Sequence, residues 1–395
     1  MSFVNFQESR PWAKAIRDAV LTRRMPPWFA DPAQGRFVNE RRLTDREIET
    51  VVRWVDGGSA EGDPKDAPAP RKFETGWTIG KPDLVIEMPV AFTVPASGTI
   101  EYTLFVVPTG FTEDRWVEKA EVRPGNRSVV HHSVVQVREP GAEYMQDAKP
   151  GVPFVEPPAP VKNLPDTGEG AFGFSPGRGV EVLGAYVPGG VPYELAPGQA
   201  RLIRKGSDLI FEMHYTTSGK PAKDRTQVGL IFAKQPPKQR VINALIVNEN
   251  LRIPPGEPNH YVAARVKVHE EVDLVSIFPH MHVRGKAFEF RVVTPDGTAE
   301  TLLRVPKYDF NWQLTYYLDK SKRLPKGSTI ECIGWFDNSP NNKSNPDPSK
   351  EVRWGNQTWE EMLIGFVDLA LPVGTDPRRI MGPSPSQNNG EGRRQ

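Results

Sequence analysis

Five of the chain's seven histidines stand in three short clusters: His131-His132 in VVHHSVVQV, His214 in FEMHYTT, and His280 and His282 flanking Met281 in FPHMHVRGK. Met362 follows in TWEEMLIGF. Neutral imidazole is the commonest side-chain ligand of transition metals, and thioether sulfur suits copper in its reduced state. Three histidines on one metal, with two histidines and a methionine on another, would serve a redox copper pair. The single cysteine, Cys332, excludes multi-cysteine zinc or iron–sulfur sites and any intrachain disulfide.

Each cluster alone has an ordinary explanation. His280 and His282, two apart on a strand, share a face, which suits one metal but also a pair of core histidines. His131 and His132 are neighbours, and neighbours on a regular strand face opposite ways. They can serve one metal only where the strand is twisted, bulged or at an edge. His214 shares its face with Glu212. Their joint occurrence with Met362 is what favours the copper reading over structural zinc. His260 and His269 have no companions and read as surface or structural.

Elements must bring these residues together. The chain has 395 residues, enough for two or three domains. Forty prolines and 34 glycines with 38% hydrophobic residues point to many short strands and turns. Alternating segments predict strands: DLVIEMPV, TIEYTLFVVP, SVVHHSVVQV, DLIFEMHYTT and TQVGLIFA in one half, then VINALIV, HYVAARVKV, EVDLVSIF, FEFRVV, TIECIGWF and EMLIGFVDLAL in the other. Residues 1–66 read as helical instead. Glu8 to Arg24 is amphipathic and stops before Pro26-Pro27, and a second helix starts at a Thr44/Glu47 capping box and ends at Gly57-Gly58. Ile48, Val51, Val52 and Val55 are its expected buried stripe. The expected divisions are a helical segment 1–66, a sandwich 67–238 whose Gly/Pro-rich stretch 139–200 reads as a long ordered insertion or lid, a sandwich 239–375, and a mobile tail 376–395.

Lys+Arg 50 against Asp+Glu 49 leaves +1, which gives no electrostatic case for nucleic acid or an anionic membrane surface. No apolar run reaches the ~18 residues of a membrane span. MSFVNFQESRPW lacks the apolar core of a signal peptide.

The order HH, HY, HxH, EM, with the HVRGK continuation at His282–Lys286 and Trp312-Gln313-Leu314, resembles the type II copper, ascorbate-dependent monooxygenases, the peptidylglycine alpha-hydroxylating and dopamine beta-monooxygenase family. The resemblance covers roughly residues 75–370. It implies a mainly β chain of two tandem jelly-roll β-sandwich domains, each holding one copper across a solvent-filled cleft. Carried over, His131, His132 and His214 bind the electron-transfer copper, while His280, His282 and Met362 bind the catalytic copper that meets O₂ and a small-molecule substrate. The implied reaction is hydroxylation of a substrate C–H bond, with ascorbate or a cytochrome as electron donor. The chain departs from peptide-amidating relatives where they grip a carboxylate. Phe278 stands for their arginine and Phe366 for their tyrosine, so an apolar or neutral, non-peptide substrate is expected. Glu212 stands where they carry glutamine.

The segment RPWAKAIRDAVLTRRMPPWFADP with LTDREIETVVRWVDGG resembles the C-terminal part of a cytochrome c domain, with Met25 at the axial position. The CxxCH haem attachment motif would lie upstream, so covalent haem is not expected in this sequence. The alternative is a haem-free helical cap. Family likeness implies a periplasmic or secreted location. Two other functions stay open: a non-catalytic sandwich binding protein and a copper electron-transfer protein.

Overall fold

Strands dominate the regular structure of this molecule, and several alternate between core and surface with a period of two. The computed structural model describes residues 3–69, 76–155, 169–170, 179–192 and 194–382. The chain is mainly β. Its first half contains β1 (Leu84–Glu87), β2 (Thr103–Pro108), β3 (Arg115–Arg123), β4 (Val130–Arg138), β5 (Val180–Tyr186), β6 (Gln199–Ile203), β7 (Asp208–Tyr215) and β8 (Gln227–Phe232). The second half contains β9 (Gln239–Val247), β10 (His260–Val268), β11 (Val272–His280), β12 (Gly285–Val293), β13 (Ala299–Val305), β14 (Tyr316–Leu324), β15 (Thr329–Phe336) and β16 (Ile364–Pro372).

In the first half, β2-β7-β4-β5 form one sheet facing β1-β8-β3-β6. Phe105, Val135, Phe211, Met213 and Leu230 fill the space between them. In the second half, β13-β12-β15-β10 face β9-β16-β11-β14, with Phe288, Phe290, Val367 and Leu369 between. Each fully buried side chain of this kind contributes about 1.5–3 kcal/mol. The two halves share a sheet. A parallel pairing of β6 with β9, Gln199 to Gln239 and Ala200 to Arg240, joins β1-β8-β3-β6 to β9-β16-β11-β14 in one continuous order.

Several strands lay outside the expectation. β14 carries Asp319, Lys320, Lys322 and Arg323 because it ends the long sheet, where charge is tolerated and protects an edge. β5 lies within the stretch read as an insertion or lid, and β6 begins at its end. β5 completes the first sandwich and β6 is the junction strand, so this part of 139–200 is framework. Residues 156–168, 171–178 and 193 of that segment, and 383–395 of the expected tail, lie outside the described residues. Tyr144, Met145, Ala148 and Phe154 pack over Leu104, Val106 and Ile210 on the first sandwich.

The first N-terminal helix is shorter than the pattern implied, while the second has its expected ends. Short turns at Phe6–Ser9 and Arg10–Trp12 precede α1 (Ala13–Leu21) because Pro11 interrupts the run, and α2 spans Asp45–Asp56. The α2 capping box is present: Thr44 N donates to Glu47 Oε2 at 2.7 Å and Glu47 N to Thr44 Oγ1 at 3.3 Å. Its expected buried stripe is only half-buried, since α1 is the main element packed on it. Between the helices the chain docks on the second sandwich. Trp28 and Phe37 meet Tyr316 edge-on, with ring centroids 4.9 and 5.1 Å apart. Val38 N donates to Tyr317 O and Asp319 N to Arg36 O, which covers the charged edge of β14. Met25, the residue aligned with a haem ligand, is 44% exposed. Among the described residues, no helix is long and apolar enough to cross a membrane.

Candidate metal centres

His132 on β4 pairs directly with His214 on β7, and Val130 pairs with Tyr215, so His131 is an extra residue in the ladder. This β-bulge turns two consecutive histidines the same way, which a regular strand forbids. The His131 and His132 Nδ1 atoms are 3.2 Å apart, and those of His132 and His214 3.4 Å. One nitrogen from each of the three rings lies within 4.8 Å of the others. Nitrogens held by one metal at about 2.0–2.1 Å stand roughly 3.3 Å apart, so these distances suit a shared ion. Burial pushes His214 down to about 4 and lowers His131 and, further, His132. All three are therefore neutral at pH 7, the form that offers a lone pair. Tyr102 stacks on His214 with centroids 4.7 Å apart.

His280 and His282 have ring centroids 5.2 Å apart. β11 ends at His280, so the pair does not lie on one strand as expected. Extended backbone past the strand end still alternates: Met281 turns into the core and His282 returns to the His280 side. Each ring has an acceptor at Nδ1. His280 Nδ1 lies 2.6 Å from Gln313 Oε1, and His282 Nδ1 lies 3.2 Å from the Glu360 carbonyl. An oxygen acceptor fixes the proton on Nδ1 and leaves Nε2 as the ligand atom. Burial holds His280 near 4 and His282 near 3, again neutral.

Met362 precedes β16 instead of lying within it. The Glu361 carboxylate ties it to the histidines. Oε2 accepts from Met362 N at 3.0 Å and from His282 N at 2.7 Å, while Oε1 accepts from Arg284 N at 2.7 Å. Glu361 is fully buried, and desolvation raises it to about 7 against the pull of these three amides. Sequence reasoning noticed Glu361 beside the methionine but gave it no role. Three converging backbone donors leave no mark in sequence. Arg284, also buried, donates Nε to Asn338 Oδ1 at 2.9 Å and Nη1 to Trp359 O at 2.9 Å. Gly285 is required by packing, since a Cβ there would come within 2.8 Å of Met281 and the Tyr308 ring.

The strands that carry the two clusters border one cavity at the boundary between the halves. Charge on His280 or His282 lowers the proton affinity of His132, so the groups interact across the boundary between the halves. This cavity, of about 250 Å³, is lined from both sandwiches by Gln136, Glu212, Phe278, Gln313 and Phe366 among others. Phe278 and Phe366 pair directly across β11 and β16, with rings 5.3 Å apart. Glu212 accepts from Gln136 Nε2 at 2.9 Å.

No protein-family model and no curated protein matches the chain. Among solved structures, it is similar to that of the infectious bursal disease virus Gx strain, at 9% identity over 75% of this chain and 74% of that one, with a TM-score of 0.21. An allantoicase is similar at 10% identity over 62% and 81%, TM-score 0.17. An oxalate decarboxylase variant from Bacillus subtilis follows at 8% over 88% and 90%, TM-score 0.16. Scores this low carry no functional argument.

Proposed function

We propose that this chain is a copper-dependent monooxygenase that hydroxylates a C–H bond of a small, non-peptide substrate with O₂ and an external one-electron donor. The observation that carries this reading is the bulged β4, which turns His131 and His132 together toward His214, while His280 and His282 lie side by side with Nε2 left free. A three-nitrogen set and a separate two-nitrogen set with a nearby thioether residue fit two coppers of different character. Bound copper would supply one-electron redox chemistry and the activation of O₂.

The chain's own residues do the rest. Gln313 and the Glu360 carbonyl orient the second pair, and Glu361 holds the Met362 backbone beside His282. Phe278 and Phe366 give the cavity an apolar wall that excludes water and offers no hydrogen bond to a carboxylate. With this reading go an extracytoplasmic location, periplasmic or secreted, and ascorbate or a cytochrome as donor.

The test is copper stoichiometry of the copper-loaded chain, wild type against His280→Ala. Two coppers falling to about one supports the reading. A wild-type value of one or zero sinks it and favours an electron-transfer or binding protein.

A further inference from the structure

Past the Phe278/Phe366 pair, the cavity ends in polar groups that the metal clusters do not use. The pleat of β11 turns His280, Phe278 and Ser276 to one face, and β16 sets Ile364, Phe366 and Asp368 opposite them in turn. Asn243 on β9 pairs with Asp368 from the other side. Asn243, Asp368 and Ser276 thus form a row across three strands, and Arg201 joins it from β6. Asp368 is fully engaged. It accepts from Arg201 Nη2 at 2.9 Å, Ser276 Oγ at 2.9 Å and Asn243 Nδ2 at 3.1 Å.

Two partners of this carboxylate are incomplete. Arg201 Nη1 and Asn243 Oδ1 are buried and have no hydrogen-bond partner. Asn243 is only 7% exposed. A buried donor or acceptor left unpaired costs about 1–3 kcal/mol, so a ligand that opens these two closed-off atoms to the cavity by a small side-chain shift gains by supplying both partners. Both residues line the same cavity as Phe278 and Phe366.

We propose that Arg201 and Asn243 anchor the polar head of the substrate, and that this head is a neutral group that both accepts and donates, a hydroxyl or an amide on an apolar body. A carboxylate does not suit the place. Asp368 already neutralises the guanidinium, and the open Asn243 carbonyl repels an anionic oxygen. A bare hydrocarbon leaves both groups unpaired. The cavity, about 250 Å³, exceeds the ~150 Å³ that accepts a benzene ring, so a substituted ring fits. From Ser276 to His280 is four residues of strand, about 13 Å at ~3.3 Å each. A molecule held at the anchor runs over the face of the Phe278/Phe366 pair with its far end toward His280. That the anchored molecule is the hydroxylation substrate rests on the monooxygenase reading. The anchor itself does not.

The experiment therefore uses the metal-free full chain. Four probes of one shape, phenylpropanol, phenylpropionamide, phenylpropionate and propylbenzene, are titrated by ligand-observed NMR. The alcohol and amide are expected to bind at least about tenfold more tightly than the other two, and Phe278→Trp to block all four. Arg201→Lys keeps the ion pair to Asp368 but loses the forked second donor. It should remove most of the alcohol's advantage while propylbenzene binds as before, which also shows that the variant is folded. If Arg201→Lys fails to fold, the wild-type rank order and the Phe278→Trp block decide. Phenylpropionate binding as tightly as phenylpropanol, an alcohol preference untouched by Arg201→Lys, or no binding of any probe overturns the proposal. Copper plays no part, so a failed copper stoichiometry leaves this result standing.

Discussion

His132 and His214 stand directly opposite each other on adjacent antiparallel strands, their Nδ1 atoms 3.4 Å apart. Cross-strand neighbours are the closest side-chain pairs a sheet provides. The bulge then adds His131 from the next position along. The first cluster is therefore fixed by two strands, whereas the second depends on β11, the segment before β16, and Gln313 between β13 and β14. The two should respond differently to mutation.

Gln313→Leu removes the acceptor at His280 Nδ1 without touching a ligand. Loss of such an orienting partner typically weakens metal binding about 10–100-fold. Competition titration with a copper chelator should show that loss at one site per chain and no change at the other. Equal weakening of both sites, or none, would count against the assigned orientation.

Met362→Ala should leave copper at His131, His132 and His214 and abolish ascorbate-driven oxygen consumption. Full oxygen consumption by this variant would remove Met362 from the site.

Glu361→Gln keeps the size of the side chain but replaces one acceptor oxygen with an amino group that faces a backbone N–H. Each unmade buried bond costs about 1–3 kcal/mol. Urea unfolding of the metal-free protein should show a loss in that range. A neutral result would mean that water satisfies these amides.

Glu181 on β5 accepts from Arg240 Nη2 on β9 at 2.6 Å. Burial is the largest influence on Glu181 and raises it from 4.5 to about 7, against the opposing pull of Arg240. Below 4.5 the carboxyl is protonated folded and unfolded alike. Between 4.5 and about 7 the unfolded chain releases the proton more readily, so stability falls as pH rises, and the loss is complete above 7. Glu181→Gln lacks this dependence. Denaturant midpoints across that window should show wild type losing ground to the variant. A wild type that gains on it would mean the ion pair outweighs desolvation.

Much of this architecture was legible in sequence because half-buried strands write their faces in alternation, as FEFRVV does for β12. β14 was missed because an edge strand carries charges that hide its period. β5 and β6 were missed among and beside glycines and prolines that suggested an insertion or lid. For His131-His132, sequence supplied the condition, a bulge, twist or edge, and the structure contains the bulge. The α2 stripe was assigned to a core from its spacing, but spacing says which residues share a face, not what covers it. Trp28 docking on Tyr316 and the three amides on Glu361 arise from tertiary pairing and have no local signature.

The junction of β6 and β9 has a mechanical meaning. Only two rungs, Gln199–Gln239 and Ala200–Arg240, splice the two sandwiches into a single sheet. The Glu181–Arg240 and Arg201–Asp368 ion pairs also tie the halves together beside that splice. On the proposed two-copper reading, loosening these few ties would let the sandwiches shift against each other while each histidine cluster kept its own strands.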